Sequence, residues 1–397
     1  MVYSVPFLTP SRELALLLAM MEKKTPWSQL ADEKRFARLV EKNRLLPLAA
    51  EQMDPLPGVE EDLIHQETWM TMQQVTLLAQ LIRLFTRGGI PALAIKGPAM
   101  AMQIYGTPAL RSCHDLDVLV PLDRLMDAAA LLQADGWQWP EGKKLTTPKR
   151  LRESWYFWNH YQFFKGKFVL ELHWRLLPWD CDRFDRLWQG RKYVLLGGEQ
   201  IPVLSDLDRV YHQVVHNIRH GYHRLKWLAD MIWLLPKCPV YMEDMWQQMQ
   251  KEGQEEALLI TWLLLLRLPG LPFSKVQFGP WKMEKGDNGV EVTGKNARKI
   301  RKFIRKTDEL LALMEYAEDA EESRQYLAYR KGVPRPMTEQ NILRRWVNRM
   351  RSGPLQWEWV NLPDKLYWLY WLLRPVEKIW RTVLKRDKNT LDKQKNA

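Results

Sequence analysis

Apolar residues recur every three or four positions through most of residues 10–87, which is the spacing of one buried helix face. Ser11 stands where it can cap a first helix, and a second helical segment follows Ser28. A longer segment, residues 60–87, carries the pattern most regularly, and a Gly-Gly pair ends it. The first part of the chain is therefore predicted to be helical.

The pattern changes after this segment to short apolar runs bounded by turn residues. Residues 91–95 and 114–120 are each predicted to form a strand, and each is followed by a helix that begins at a proline, Pro98 and Pro121. Two β-hairpins are predicted next, at residues 161–174 and 193–204. Strands that alternate with helices and then pair in hairpins indicate a small mixed β-sheet with helices packed on it.

Helical spacing returns at Ser205 and continues to about residue 267. Residues 279–295 are rich in glycine and polar residues and are predicted to form an exposed loop. The expected fold class is α+β, with a small mixed-sheet core flanked by N- and C-terminal helical regions. The predicted regions are a helical region 1–88, an α/β core 89–204, a helical domain 205–323 and a basic, tryptophan-rich region 324–397.

Composition narrows the class of protein. The chain has 397 residues, 46% hydrophobic and 27% charged, which excludes a disordered or fibrous protein and allows two or three domains. Its three cysteines are an odd number without metal-like spacing, which favours reduced thiols. The N-terminal residues lack the pattern of a signal peptide, and the longest strongly apolar run, Ala257 to Leu266, is too short to cross a bilayer. We therefore expect a cytoplasmic protein.

Two aspartates alternate along the predicted strand 114–120. Asp115 and Asp117 are two residues apart, so both carboxylates leave the same face of the strand. Glu171 lies in another predicted strand, and the three carboxylates converge if the two strands are neighbours. Carboxylate oxygens are the ligands that Mg²⁺ prefers, and three converging acids can hold two divalent ions for in-line attack at phosphorus. The three acids are therefore the candidate catalytic and metal-binding residues.

The turn after residues 91–95 is a candidate phosphate site. The chain passes there through Gly97 into a helix, and backbone N–H groups at a helix start bind anions. Pro98 has no N–H, so the donors would be later residues such as Ala99 and Met100. Lys96 precedes the glycine and is a second candidate phosphate contact, with a surface lysine at a strand end as the alternative.

These residues resemble the uncharacterised nucleotidyltransferase family of the DNA polymerase β-like superfamily. That family has a Lys-Gly-Pro turn, a tyrosine, an arginine, an Asp-x-Asp strand and later a Glu-Leu-His-Trp strand. The matching residues in order are Lys96, Gly97, Pro98, Tyr105, Arg111, Asp115, Asp117, Glu171, His173 and Trp174. A downstream helical motif is matched by His216, His220, Arg224, Leu225, Trp227 and Asp230. The resemblance covers about residues 30–235.

The resemblance implies a nucleotidyltransferase core that transfers a nucleoside monophosphate from an NTP, with ATP the expected co-substrate and Mg²⁺ or Mn²⁺ the cofactor. The acceptor would be a small molecule, a peptide or a protein. Lys96 and Gly97 would hold the nucleotide phosphates. Arg111 would bind phosphate or pin the loop before the aspartates. His173 would contact the nucleotide or orient a carboxylate, with a structural histidine as the alternative. The superfamily usually has Gly-Ser at the turn, so Pro98 removes one hydroxyl from the expected phosphate site.

Three histidines are spaced by four residues, at His212, His216 and His220, and so lie on one side of a predicted helix. Two histidines at this spacing can bind zinc, but the chain has no HExxH motif, so packing or substrate contact is the favoured hypothesis. Asp230 lies in an apolar helical segment and needs a partner there. Arg224 or a neighbouring histidine is the expected partner.

The formal net charge of +12 favours an anionic partner. Much of the excess lies at residues 298–306 and 324–351, outside the motif-bearing core, and several tryptophans follow. Interleaved basic and tryptophan residues suit an anionic membrane surface, a partner protein or, less favoured, a nucleic-acid groove. A solvated basic face of a helical region is the simplest interpretation.

Two further hypotheses remain beside the enzyme. The chain could be a non-catalytic nucleotide- or partner-binding module that docks on a membrane or a complex through residues 324–397. It would then be peripheral at the inner membrane. Alternatively, it could be the antitoxin half of a two-gene system in which such folds modify a partner protein.

Overall fold

A computed structural model describes most of the chain. The described residues are 2–21, 32–53, 55–145, 147–177, 183–237, 242–294, 296–316, 357, 360, 362–370 and 372–373. No helix among these residues is both long enough and apolar enough to cross a membrane. Most of the basic, tryptophan-rich region predicted at residues 324–397 lies outside the described residues.

Helices dominate the described part of the chain. They are α1 Arg12–Met21, α2 Glu33–Lys42, α3 Leu46–Gln52, α4 Glu61–Arg87, α5 Gly97–Tyr105, α6 Leu125–Ala134, α7 Pro148–Phe157, α8 Phe184–Gln189, α9 Asp206–Arg219, α10 Leu225–Leu234, α11 Met242–Glu252, α12 Glu255–Arg267 and α13 Ala297–Tyr316. The predicted cap Ser11 accepts a hydrogen bond from the Leu14 N–H at the start of α1, and Gly88 ends α4 as predicted. Ser205 likewise accepts a hydrogen bond at the start of α9.

Six strands form a mixed sheet at the centre of the fold. They are β2 Leu93–Ala94, β3 Asp115–Leu119, β4 His160–Lys165, β5 Phe168–His173, β6 Lys192–Leu196 and β7 Glu199–Val203, with β1 Val2–Pro6 lying earlier in the chain. Their order across the sheet is β4-β5-β3-β2-β7-β6. β3 runs parallel to β5 and β2 parallel to β7, while the remaining neighbours are antiparallel. This mixed sheet with flanking helices confirms the expected α+β class.

One face of this sheet is apolar and fully covered. Leu116 and Val118 of β3 and Leu170 and Leu172 of β5 are at most 1% exposed, packed with α4 and α6 side chains. Because successive strand residues point to opposite faces, the alternate residues of β3 and β5 must emerge on the other face. Turns place the hairpins as predicted, with Gly166 at a positive φ of 57° between β4 and β5.

The prediction of an exposed loop at residues 279–295 is wrong. The segment forms β9 Trp281–Lys285 and β10 Gly289–Thr293, which follow β8 Lys275–Phe278. With β1 they make a second sheet of order β1-β10-β9-β8. Apolar residues alternate with charged ones here, so Met283, Val290 and Val292 are buried and the charged side chains face outward. The glycine and charge content concealed this period-two pattern.

The N-terminal helices and the helices after Ser205 share one apolar core. Leu14, Phe36 and Leu48 lie in the same buried cluster as residues of α9, α10 and α12, such as Val214 and Leu264. The proposed boundaries at residues 88 and 205 therefore separate segments of sequence that pack against each other. This packing carries α9 and α10 to the open face of the six-stranded sheet.

Candidate active site

Three carboxylates emerge on the open face of the six-stranded sheet. In the parallel pairing of β3 with β5, Asp117 lies opposite Glu171 and Asp115 lies opposite Val169. Asp115 is two residues before Asp117 on the same strand and therefore shares its face. The two strands are thus adjacent, as the convergence of the three acids required, and all three acids lie on one side of the sheet.

Asp117 is the most enclosed of the three acids. It is 3% exposed, and its Oδ1 lies 3.3 Å from Lys96 Nζ and 3.2 Å from His173 Nε2. Burial by itself would raise the pKa of Asp117, but the charge of Lys96 and the hydrogen bond with His173 outweigh it and hold the pKa well below its usual range. Asp117 is therefore a fixed negative charge at neutral pH.

Glu171 is surrounded by nitrogen donors. Its Oε2 lies 3.4 Å from His173 Nε2, and its Oε1 lies 3.5 Å from His160 Nε2 and accepts a hydrogen bond from Gln162 Nε2 at 3.2 Å. Burial favours a higher pKa, yet the bond with His173 lowers the pKa of Glu171. For His173, burial opposes protonation, and the bonds to Asp117 and Glu171 raise its pKa. His173 thus bridges two carboxylates.

Asp115 is placed differently. Among the described residues it has no ion pair, and burial together with the negative charge of Asp117 raises its pKa. An acid strained by a like charge at the edge of a cleft is stabilised by a cation, so the oxygen-rich set fits a divalent ion. In the described part of the chain, the donor atoms of His160, Glu171 and His173 also lie within 4.8 Å of one another. Carboxylate oxygens suit Mg²⁺ and Mn²⁺, whereas imidazole nitrogens suit transition metals such as zinc, so the three acids are the part of this set that fits the expected ions.

The Gly97 turn lies against the start of β3. Gly97 has a positive φ of 63°, and a side chain there would approach the Asp115 carbonyl oxygen to 3.5 Å. Lys96 caps α5, and Pro98 occupies its first turn. The start of α5 therefore lies beside the start of β3. Gly97, Ala99 and Met100 are nevertheless buried and do not line the cleft, so the predicted backbone phosphate donors are not exposed there, and of the predicted phosphate contacts in this turn Lys96 alone reaches the cleft.

A cleft of about 560 Å³ opens over this face of the sheet. Asp115, Glu171, His173 and Lys96 line the cleft on this side, whereas Asp117 is buried and does not line it. The opposite wall comes from α9 and α10 and from the turn between α2 and α3. Its residues are Arg44, His212, His216, Arg219, His220, Arg224 and Trp227.

Arg111 is held away from the cleft. Its guanidinium makes a bidentate pair with Asp230, with Nε–Oδ1 3.0 Å and Nη2–Oδ2 3.1 Å, and Tyr105 donates a hydrogen bond to the same carboxylate. The prediction that Arg224 or a histidine is the partner of Asp230 is therefore wrong. Arg111 is 5% exposed and does not line the cleft, so its position matches the pinning role rather than a phosphate contact.

The three spaced histidines form an aromatic wall with Trp227. The His216 ring lies 5.0 Å from the Trp227 ring and the His220 ring 5.5 Å from it. Burial and the charge of Lys96 hold the pKa values of His212 and His216 well below the usual range, so both are neutral. Neutral rings on a cleft wall can pack against a flat substrate group.

Sequence reasoning missed His160 and Arg44. His160 shares the cleft face because it pairs with His173 across β4 and β5. Its position at the start of the predicted hairpin, opposite His173, could have indicated this. Arg44 lies far from the motifs in sequence, and no local pattern connects it with them.

Comparison with known proteins adds one match. A family model described as uncharacterised nucleotidyltransferase covers residues 29–269, more than half of the chain. No curated protein and no solved structure matches the chain. The matched range contains the Gly97 turn, the three carboxylates and the cleft wall of α9 and α10.

Proposed function

The chain belongs to the uncharacterised nucleotidyltransferase family, and from this premise we propose that the cleft transfers a nucleoside monophosphate from an NTP, with ATP the first candidate, to an acceptor. A small molecule, a peptide or a protein remains the candidate acceptor. The observation that carries the proposal is the shared face of Asp115, Asp117 and Glu171 beside the start of α5. Converging carboxylates that can hold divalent ions are what this reaction needs.

Asp115, Asp117 and Glu171 would hold Mg²⁺ or Mn²⁺ in this proposal. When bound, divalent ions neutralise the triphosphate and favour ionisation of the attacking group. Lys96 and His173 keep Asp117 ionised and in position before any substrate arrives. This pre-organisation avoids reorienting the carboxylate during the reaction.

In the proposed reaction, an acceptor hydroxyl and an NTP give the acceptor–O–NMP ester and pyrophosphate. The acceptor oxygen attacks the α-phosphorus, and the bond from that phosphorus to its bridging oxygen breaks. Glu171 is ionised at neutral pH because His173 lowers its pKa, so its carboxylate can accept the acceptor proton. Lys96, which lines the cleft, would contact the departing phosphates.

The test is pyrophosphate release from labelled NTPs by the full chain with Mg²⁺ or Mn²⁺ and panels of acceptors. We expect Asp115→Asn combined with Asp117→Asn to reduce release at least about a hundredfold. Asp123→Asn combined with Asp127→Asn is the matched control, because both acids are exposed and lie outside the cleft. Pyrophosphate release that survives the cleft double substitution would sink the proposal.

A further inference from the structure

Two arginines, Arg44 and Arg224, line the same wall of the cleft. Arg44 comes from the turn between α2 and α3, and Arg224 immediately precedes α10. Within the described part of the chain, neither guanidinium makes a hydrogen bond or an ion pair. Asp115 and Glu67 are the acids whose charges act on Arg44, and neither is within salt-bridge distance. The arginine charges therefore remain available to a ligand.

A buried asparagine holds the two arginines together. Asn43 is 0% exposed, and its Oδ1 accepts a hydrogen bond from the backbone N–H of Leu225 at 2.9 Å. Its carbonyl oxygen also accepts a bond from the backbone N–H of Lys226 at 3.3 Å. The turn is thereby tied to the first residues of α10, and Arg44 is brought to the side of Arg224.

This arrangement is unfavourable in the absence of a ligand. Arg44 has a φ of 56°, a left-handed conformation that non-glycine residues rarely adopt. Burial and the neighbouring charge of Arg224 lower the pKa of Arg44 to about 10. The same crowding acts nearby, where burial and the charge of Arg44 lower the pKa of His114 to about 4. A bound anion would relieve this repulsion.

We infer that Arg44 and Arg224 form an oxyanion subsite that binds a phosphate group, separate from the Gly97 turn and within the same cleft. Guanidinium groups match phosphate oxygens in pairs, which suits such a site better than lysines. The inference deepens the proposed function, on which it rests for the identity of the reaction. The phosphate would belong either to the triphosphate of the NTP or to a phosphorylated acceptor.

Calorimetric titration of the full chain with inorganic tripolyphosphate, without divalent metal, tests the subsite directly. We expect Arg44→Gln and Arg224→Gln each to weaken binding about ten- to hundredfold, the effect of one charged hydrogen bond. Arg87→Gln is the matched control, because Arg87 is exposed at the end of α4 and outside the cleft. Equal affinity in all four proteins, or no binding by the wild type, would overturn the inference.

Arg44→Gly separates anion binding from a structural role. Glycine adopts a positive φ without strain, so this variant should keep or increase the melting temperature of the wild type. It should nevertheless bind tripolyphosphate as weakly as Arg44→Gln. A variant that keeps full affinity would show that Arg44 contributes only to the turn and would contradict the inference.

Two ligand series identify the source of the phosphate. If the subsite holds the NTP tail, Arg44→Gln weakens ATP binding but leaves AMP binding unchanged. If it holds an acceptor phosphate, inorganic phosphate still binds when ATP is saturating, and Arg44→Gln removes that binding. Metal-free binding should persist in the Asp115→Asn, Asp117→Asn protein. Absence of transfer with intact arginine-dependent binding would therefore refute the proposed reaction and leave the subsite standing.

Discussion

Asp230→Asn should destabilise the protein strongly, because Asp230 compensates a buried guanidinium. The Arg111 and Asp230 side chains are 5% and 0% exposed, and their contacts at 3.0–3.2 Å are bidentate. An amide keeps the shape of the carboxylate but leaves the arginine charge uncompensated. Breaking a buried pair in this way costs about 3–5 kcal/mol in the free energy of unfolding.

Urea unfolding followed by tryptophan fluorescence measures this loss. Asp127→Asn is the matched control, because it removes the same charge from a pair with Arg124 whose side chains are 37% and 61% exposed. Solvent screening limits the contribution of such a pair to under about 1 kcal/mol. The activity of Asp230→Asn should also fall, since Arg111 anchors the loop that leads to Asp115.

A double substitution separates lost compensation from lost packing. Arg111→Met combined with Asp230→Leu removes both charges together, and buried pairs replaced by apolar residues often lose little stability. The double variant should therefore be more stable than Asp230→Leu alone. If Asp230→Asn costs no more than Asp127→Asn, the carboxylate does not compensate the buried arginine and the reasoning is wrong.

Three further outcomes are expected. Asn43→Ala removes the buried acceptor of the Leu225 N–H and should reduce the free energy of unfolding by about 1–3 kcal/mol in urea titrations. Burial lowers the pKa of Lys226 from 10.5 to about 7, so the unfolded state binds more protons between these values and stability rises with pH there. Lys226→Met should lack that rise when urea midpoints are compared at both ends of the range, and an unchanged rise would contradict the assignment. Burial favours a lower pKa for His173, but its hydrogen bonds to two carboxylates raise that pKa above the ordinary 6.5. Protonated His173 therefore stabilises the folded protein fully below pH 6.5, and this contribution is lost as the pH rises through the pKa of the folded state. The difference in the free energy of unfolding between wild type and His173→Gln should accordingly become smaller as pH rises. A difference that grows with pH would refute this assignment.

Local patterns predicted most of the central sheet and its helices. The helix from residue 60 and the hairpin at Gly166 follow from residue spacing and turn chemistry within a few positions. In the second sheet, β8, β9 and β10 are neighbours in sequence, and glycine and charged residues concealed their period-two pattern. β1, by contrast, pairs with β10 across almost the whole described chain. Such pairing depends on contacts that no window of sequence contains.

The candidate site divides in the same way. The common face of Asp115 and Asp117 follows from strand geometry alone. Glu171 was a candidate because it lies in another predicted strand, and the resemblance to the family added His173. The contacts that hold Asp117, from Lys96 and His173, depend on three strands meeting in one register.

The sequence by itself determined which residues are suited to phosphoryl chemistry and on which faces of their elements they lie, because side-chain direction repeats with the local backbone period. Tertiary structure alone decided which charges are paired. It matched Arg111 with Asp230 and left Arg44 and Arg224 together on the cleft wall. Pairing of charges depends on distances between segments remote in sequence, and these distances are set only when the apolar faces pack.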